Sequence, residues 1–181
     1  MTRYISILRG INVGGKRRIL MSDLKRLFED FGFIDITTYI QSGNVIFDCN
    51  VKKDNIELAN KIEQSIMDSY EFKVPVIVRT INEIEQIKLN NPFLKIDTKI
   101  ERLHLTFLNE IPNSDKLEKI KSYDFTPDKF EIINKDIYIF CSGKYSDSKL
   151  TNKFFENKLK ITATTRNWNT VNKLYEIATN Q

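Results

Sequence analysis

The run Arg9-Gly10-Ile11-Asn12-Val13-Gly14-Gly15-Lys16-Arg17-Arg18 is where this sequence comes nearest to chemistry. It follows a strand-like stretch and precedes a helix-like one. Gly10, Gly14 and Gly15 give a backbone free to turn its N–H groups inward. Arg9, Lys16, Arg17 and Arg18 add positive charge to the same short loop. Backbone amides and guanidinium groups at a strand-to-helix junction are a means of holding an anion. The pattern matches neither the P-loop nor the dinucleotide fingerprint, and it reads equally as a glycine-rich connection whose basic side chains are solvated.

Two further segments carry polar groups of related type. Gln41, Ser42, Gly43 and Asn44 form a tight turn between two strand-like runs, and Thr164, Thr165, Arg166 and Asn167 precede the last helix. Hydroxyl and amide side chains at a helix start cap its unpaired N–H groups. Capping needs no guanidinium, so Arg166 calls for another partner: a phosphate, a carboxylate or a buried structural ion pair. The stretch from Gly143-Lys144 to Ser148-Lys149 has a similar small-polar and basic character. These segments together predict that Arg9, Gly10, Asn12, Gly14, Gly15, Lys16, Ser42, Asn44 and Arg166 converge on one cleft between two halves. The expected ligand is a phosphorylated small molecule or a nucleotide, with no cofactor and no metal.

The remaining reactive side chains narrow the choice. His104 is the sole histidine, which rules out a site needing several His ligands and weakens a Ser-His-Asp or Cys-His reading. It alternates with Leu103, Leu105 and Phe107, so it is expected on the other face of that strand, solvated or structurally bonded. Cys49 and Cys141 lack CxxC spacing and carry no zinc or redox signature; reduced, half-buried thiols are the expectation.

The elements that must position these residues are legible from periodicity. Residues 3–9 alternate as a strand, and Leu24, Leu27, Phe28 and Phe31 recur at helical spacing with Ser22 as N-cap and Gly32 as stop. Strands 34–40 and 44–49 follow, then a helix opened by Asp54 and Glu57, and a strand at 74–79 whose Pro75 marks an edge. This β-α-β-β-α-β order predicts a ferredoxin-like subdomain over residues 1–80. Residues 81–181 predict a second, smaller α+β subdomain. It opens with the capping box Thr80-x-x-Glu83 and continues through a strand at 102–108, a helix near 114–122, a hairpin around Asn134-Lys135-Asp136 and helices near 147–158 and 167–179. The fold class is therefore α+β, with a faint internal repeat that residue matching does not establish.

Three longer segments, LRGINVGGK, TYIQSGNVIF and TATTRNWNT, closely resemble the signature segments of a bacterial domain-of-unknown-function family. The resemblance runs from Leu8 to Leu174 and includes Asn91-Pro92-Phe93 and Phe107-Leu108. It implies a ferredoxin-like N-terminal unit followed by a second α+β unit, and no established activity.

Composition sets the outer bounds. The chain has 181 residues, 41% hydrophobic, with a net charge of +4 spread evenly along it. Its twenty aromatics argue against disorder. No apolar run nears the roughly 18 residues that span a bilayer, so a cytoplasmic protein without membrane partners is expected. An anionic small molecule is the first partner to consider, and a nucleic acid is left open. A single-stranded RNA-binding module is one alternative, but RNP1 is missing and Tyr4 and Phe47 are read as lying on opposite faces. An acylphosphatase-like hydrolase, with Arg9 and Asn44 holding phosphate and orienting water, is the catalytic alternative by scaffold analogy. A module that only binds another protein through the edge at 74–79 is a third.

Overall fold

The computed structural model describes residues 1–94 and 98–180; residues 95–97 and Gln181, which belong to the expected second subdomain, lie outside it. The chain divides into two compact units, Met1–Gln86 with Lys173–Gln181, and Ile87–Asn172. The sequence places the change of unit after residue 80. In the structure the helices at Ile81–Leu89 and Trp168–Thr179 each contribute residues to both units.

In the first unit β1 (Thr2–Leu8), α1 (Met21–Asp30), β2 (Ile34–Tyr39), β3 (Asn44–Cys49), α2 (Asn55–Tyr70) and β4 (Val76–Thr80) follow one another. The sheet order is β2-β3-β1-β4, with every neighbouring pair antiparallel. This is the ferredoxin-like arrangement. Pro75 immediately precedes the edge strand β4, where a missing N–H costs no ladder bond. The helix-side core gathers Tyr4, Leu8, Leu24, Phe28, Phe47, Ile62 and Ile66, all with no exposed surface. Gly32, at φ +76°, ends α1 with its N–H on the Glu29 carbonyl. Ser22 does not cap α1: the helix starts at Met21, with Leu20 in the N-cap position and no side-chain cap. Asp54 does cap α2, accepting from the amides of Ile56 and Glu57.

Tyr4 and Phe47 correct a second expectation. They are direct cross-strand partners and their rings stack at 5.6 Å on the same, helix-covered face. The misreading has a physical source: β1 is buried on both faces, so the apolar alternation of Ile5 and Ile7 does not identify the side that the helices cover. Strand β2 shows the opposite irregularity. Asp35 takes a positive φ and the register shifts between Ile34 and Thr37, which leaves Ile34 exposed while Ile36 is buried.

The second unit comprises β5 (Leu103–Leu108), α4 (Ser114–Lys121), β6 (Lys129–Ile133), β7 (Asp136–Phe140), α5 (Asn152–Leu159) and β8 (Ala163–Asn167). Its sheet order, β6-β7-β5-β8, repeats that of the first unit strand for strand. Each unit's last strand runs into a further helix, α3 (Ile81–Leu89) after β4 and α6 (Trp168–Thr179) after β8. The faint repeat is thus one β-α-β-β-α-β-α topology used twice. Its register is also shared: Tyr4 pairs with Phe47 and Thr80, and His104 pairs with Ile139 and Asn167. On that correspondence Cys49 and Cys141 occupy equivalent positions, and both are free, buried thiols. Glu63 accepts from the amide of Val76 at 2.7 Å, and Glu156 from that of Ala163 at 3.1 Å, each fastening the second helix of its unit to the edge strand.

One charged group ties three elements of the first unit. Arg3 donates from Nε and Nη2 to the two carboxylate oxygens of Asp48, at 2.8 and 2.7 Å, and from Nη1 to the carbonyl of Ala178 at 2.8 Å. The Asp48 side chain is 2% exposed. The same guanidinium therefore pairs a buried carboxylate of β3 and satisfies an orphan carbonyl at the end of α6. Arg3→Ala leaves the Asp48 charge buried without its partner and is expected to lower unfolding free energy by about 3 kcal/mol in urea titration. Arg3→Lys keeps the charge but not the fork and should fall between the two. Equal stability of Arg3→Ala and wild type would contradict this account.

Candidate functional site

The Arg9–Arg18 segment is a small, internally fastened hairpin. Val13 and Lys16 form an isolated bridge, and Gly14 and Gly15 at its tip take φ +58° and +74°, the two positive values of a tight primed turn. Asn12 anchors the base. Its Nδ2 donates to the carbonyls of Ile19 and Gln41, both at 2.9 Å, and its Oδ1 accepts from the Ile19 amide at 3.0 Å. The Asn12 amide donates to the Arg17 carbonyl and the Lys16 amide to the Val13 carbonyl. These N–H groups close the hairpin and do not line an anion cradle. The positive side chains are its outward feature: Lys16, Arg17 and Arg18 are exposed, and none makes an ion pair with a described residue. Gly10, at φ +70°, lies under the Arg17 guanidinium; a Cβ there would stand 3.4 Å from Nη1.

The Gln41–Asn44 turn lies beside this hairpin. Asn12 contacts it through the Gln41 carbonyl, and the Leu8 amide donates to the Gly43 carbonyl at 2.8 Å. Gly43 adopts φ +78°, and a Cβ would meet Ile11 Cδ1 at 2.6 Å and Leu8 Cβ at 2.9 Å. Glycine is thus needed for both conformation and space. Asn44 is fully buried; its Nδ2 donates to the Tyr39 carbonyl at 3.0 Å and to Ser42 Oγ at 3.3 Å. Arg9 is half-buried at the end of β1, its amide on the Pro75 carbonyl. The structure therefore brings Arg9, Gly10, Asn12, Gly14, Gly15, Lys16, Ser42 and Asn44 to one end of the first unit's sheet.

Arg166 belongs to the second unit, inside β8 opposite Leu105. It stands just ahead of the last helix, as the sequence suggests, but within a strand. Its Nη1 donates to Thr164 Oγ1 and to the Thr165 carbonyl. Burial pulls its pKa down to about 10, so it keeps its charge at neutral pH. Arg79 occupies the equivalent position in β4, is 1% exposed, and donates to the Val78 carbonyl. Arg79 escaped the sequence reading. The signal was present in the parallel between Arg79-Thr80-Ile81-Asn82 and Arg166-Asn167-Trp168-Asn169, which emerges only once β8 is recognised as a strand.

The second unit also holds a polar cluster that spacing did not reveal. His104 is buried and stacks on Tyr145 at 4.4 Å and 18°, which settles its expected placement as structural, not solvated. Tyr145 donates to Thr165 Oγ1 and to the Leu150 carbonyl; Thr165 Oγ1 also meets Thr106 Oγ1 and Asn152 Oδ1, both at 2.6 Å. Nearby, Asp128 accepts from the Ser142 amide, Ser142 Oγ and Ser148 Oγ. Burial works to raise the Asp128 pKa, yet those donors outweigh it and hold the carboxyl below its usual range. Among the described residues no group of three His, Cys, Asp or Glu side chains could hold a metal ion. No helix of the described residues is long and apolar enough to cross a membrane.

Two outcomes follow from this geometry. Gly43→Ala combines a strained φ with overpacking and should cost about 2–4 kcal/mol. At Gly14, where a Cβ meets nothing within 4 Å, only the conformational part of about 1–2 kcal/mol remains. Chemical denaturation of both variants checks the ranking, and equal losses would refute it. Burial also lowers the His104 pKa below 6.5, with the Arg102 backbone pulling the other way. The folded chain then stays neutral at His104 while the unfolded chain takes up a proton as pH falls through 6.5. This contribution is present above that pH and is lost toward the lower folded value. His104→Phe should flatten the fall in the urea midpoint between pH 7.5 and 5.5; an unchanged pH dependence would refute the assignment.

Comparison with known proteins agrees with this architecture. A conserved bacterial protein, SP0830 from Streptococcus pneumoniae, has a solved structure that superposes with a TM-score of 0.78 at 24% identity, covering 98% of each chain. That likeness is one of fold. No curated protein matches the sequence. The family model named DUF1697, for proteins of unknown function, matches residues 1–138, a span holding the Asn12-anchored hairpin, the Gly43 turn and the start of the second copy of the topology. With three quarters of its length matched to that model, the chain belongs to the DUF1697 family of proteins of unknown function.

Proposed function

We propose that the protein binds a phosphorylated small molecule or a nucleotide through the basic hairpin of its first unit. The observation that carries this reading is the anchoring of that hairpin by Asn12, which fixes Lys16, Arg17 and Arg18 in solvent at one end of the sheet. No acidic residue occurs before Asp23, so nothing in the first 22 residues neutralises the loop. Arginine forks match phosphate oxygens two at a time, and lysine supplies a mobile point charge. Gly14 and Gly15 add no side chain that would keep a ligand from the tip. Ser42 is half-buried on the turn that Asn12 joins through the Gln41 carbonyl. The Asn12, Lys16 and Ile19 amides are engaged within the loop, so recognition falls chiefly to the side chains and the affinity is expected to be strongly salt-dependent.

The rival readings draw less support from the geometry. Tyr4 and Phe47 lie wholly in the core, so they form no platform for stacked bases. Asn44, the group that would orient water in a hydrolase, is buried and holds its own turn.

A ligand that binds only the folded chain raises the apparent melting temperature. Pyrophosphate and ATP at millimolar concentration are expected to raise the melting temperature of the wild-type protein at low ionic strength. The rise should shrink in 0.5 M NaCl and disappear in Lys16→Ala/Arg17→Ala/Arg18→Ala. A triple variant that responds as strongly as wild type would reject the proposal.

A further inference from the structure

We propose that the second unit holds a separate site for a nucleoside monophosphate, in the cavity beside its outer strand β6. This inference does not depend on the basic hairpin, which belongs to the other unit. The cavity measures about 540 Å³, within the range of small-molecule sites. One wall is aromatic and is formed by Phe93, Tyr123, Phe125 and Phe130. Phe125 meets the edges of Phe130 and Phe154 at 5.9 and 4.9 Å and runs roughly parallel to Tyr123 at 6.2 Å. Tyr123 remains 43% exposed, with its hydroxyl bonded by Lys158. Aromatic surface left to water inside a concavity is what a planar heterocycle covers well.

The wall is set before any ligand arrives. Asp124 accepts from the amide and hydroxyl of Thr126, the Asp128 amide donates to the Phe125 carbonyl, and the Asp128 carboxylate grips Ser142 and Ser148. The 124–128 loop therefore needs little further ordering, which is a cost that weakens binding elsewhere.

The charges around the cavity select the ligand class. Lys121 and Lys129 line it, and neither makes an ion pair with a described residue. Asp124, Asp128 and Glu131 line it as well. A simple anion would meet three carboxylates and a simple cation would meet two ammonium groups. A planar ring carrying N–H donors at one end and a phosphate at the other complements both sets: the carboxylates accept from ring and exocyclic N–H groups, and the lysines receive the phosphate. A nucleoside monophosphate with an exocyclic amine has that composition.

Amide chemical-shift mapping of the full chain with AMP, adenosine and ribose 5-phosphate tests this. AMP is expected to give saturable shifts within residues 121–132, adenosine weaker ones, and ribose 5-phosphate none there. Tyr123→Ala, a substitution of an exposed side chain, should weaken AMP about tenfold. Lys121→Ala/Lys129→Ala should bring AMP down to the affinity of adenosine. The triple hairpin variant should leave these shifts intact, so failure of the first site and failure of this one are separable. Any of three results would overturn the proposal: no saturable AMP shift in 121–132, equal binding of ribose 5-phosphate and AMP there, or AMP affinity unchanged by Tyr123→Ala. A short oligonucleotide that binds where AMP does not would also overturn it, by moving the surface from mononucleotides to nucleic acid.

Discussion

In both units the last strand passes into a helix with no residue between them: β4 ends at Thr80 and α3 begins at Ile81, β8 ends at Asn167 and α6 begins at Trp168. The last strand residue must then serve two structures at once. Its backbone closes the ladder, opposite Tyr4 in one unit and His104 in the other. Its side chain must cap the helix, since the first-turn amides have no other local acceptor. Thr80 does so by accepting from the Glu83 amide while Glu83 returns a carboxylate to the Thr80 amide; Asn167 accepts from the Thr170 amide. The period of two then sends the preceding side chain to the other face of the sheet. That side chain is Arg79 in one unit and Arg166 in the other, and both are buried.

The same junction shows why the two units share a topology while their interiors differ. At the position opposite the cap, the first unit has Tyr4, whose hydroxyl donates to the Lys53 carbonyl and accepts from the Lys53 amide. One phenol thus fastens the β3–α2 connection without an additional polar side chain. The second unit has His104 there, and the corresponding connection supplies Tyr145 as a stacking partner. The single Tyr145 hydroxyl proton then needs an acceptor, shared here between the Leu150 carbonyl and Thr165 Oγ1, and Thr165 in turn engages Thr106 and Asn152. Exchanging one core tyrosine for histidine therefore goes with a cluster of hydroxyl and amide groups beside the apolar cluster of Leu108, Ile137, Ile139 and Phe155, and the buried Tyr145 and Thr165 hydroxyls find their partners within it.

How much of this was legible depended on whether a strand announces itself through apolar alternation. The first unit's elements did so: β1, β3 and α2 are dense in Ile, Val and Phe, and Pro75 located the edge, while burial of both faces of β1 hid which side the helices cover. β8 reads Ala-Thr-Thr-Arg-Asn and offers no apolar stripe, since its hydroxyls serve the Thr165 cluster and its arginine is buried by context. Without that strand the second half looked like one strand and a hairpin among helices, and the repeat stayed faint. The candidate site was legible in residue type but not in role. Asn12, Asn44 and Gly43 are distinctive because they hold the hairpin and its neighbouring turn, a function of backbone acceptors that sequence spacing does not display.

With a shared scaffold, the connections become the place where the units diverge. The first unit lengthens the link between its first strand and helix, residues 9–20, where the second has only 109–113. The second lengthens two others: 122–128, where the first has 31–33, and 141–151, where the first has 50–54. Extra chain in a connection costs little loop-closure entropy, so it is retained or shed by what it does, not by what folding demands. The basic hairpin lies in the first of these additions and the aromatic cavity is walled by the second. The third carries Ser142 and Ser148, which fix Asp128 beneath that cavity, and Tyr145, which answers His104. A scaffold used twice has therefore been elaborated at different corners, positive charge without aromatic surface in one unit and aromatic surface with mixed charge in the other. That asymmetry fits two different ligand chemistries better than two copies of one site.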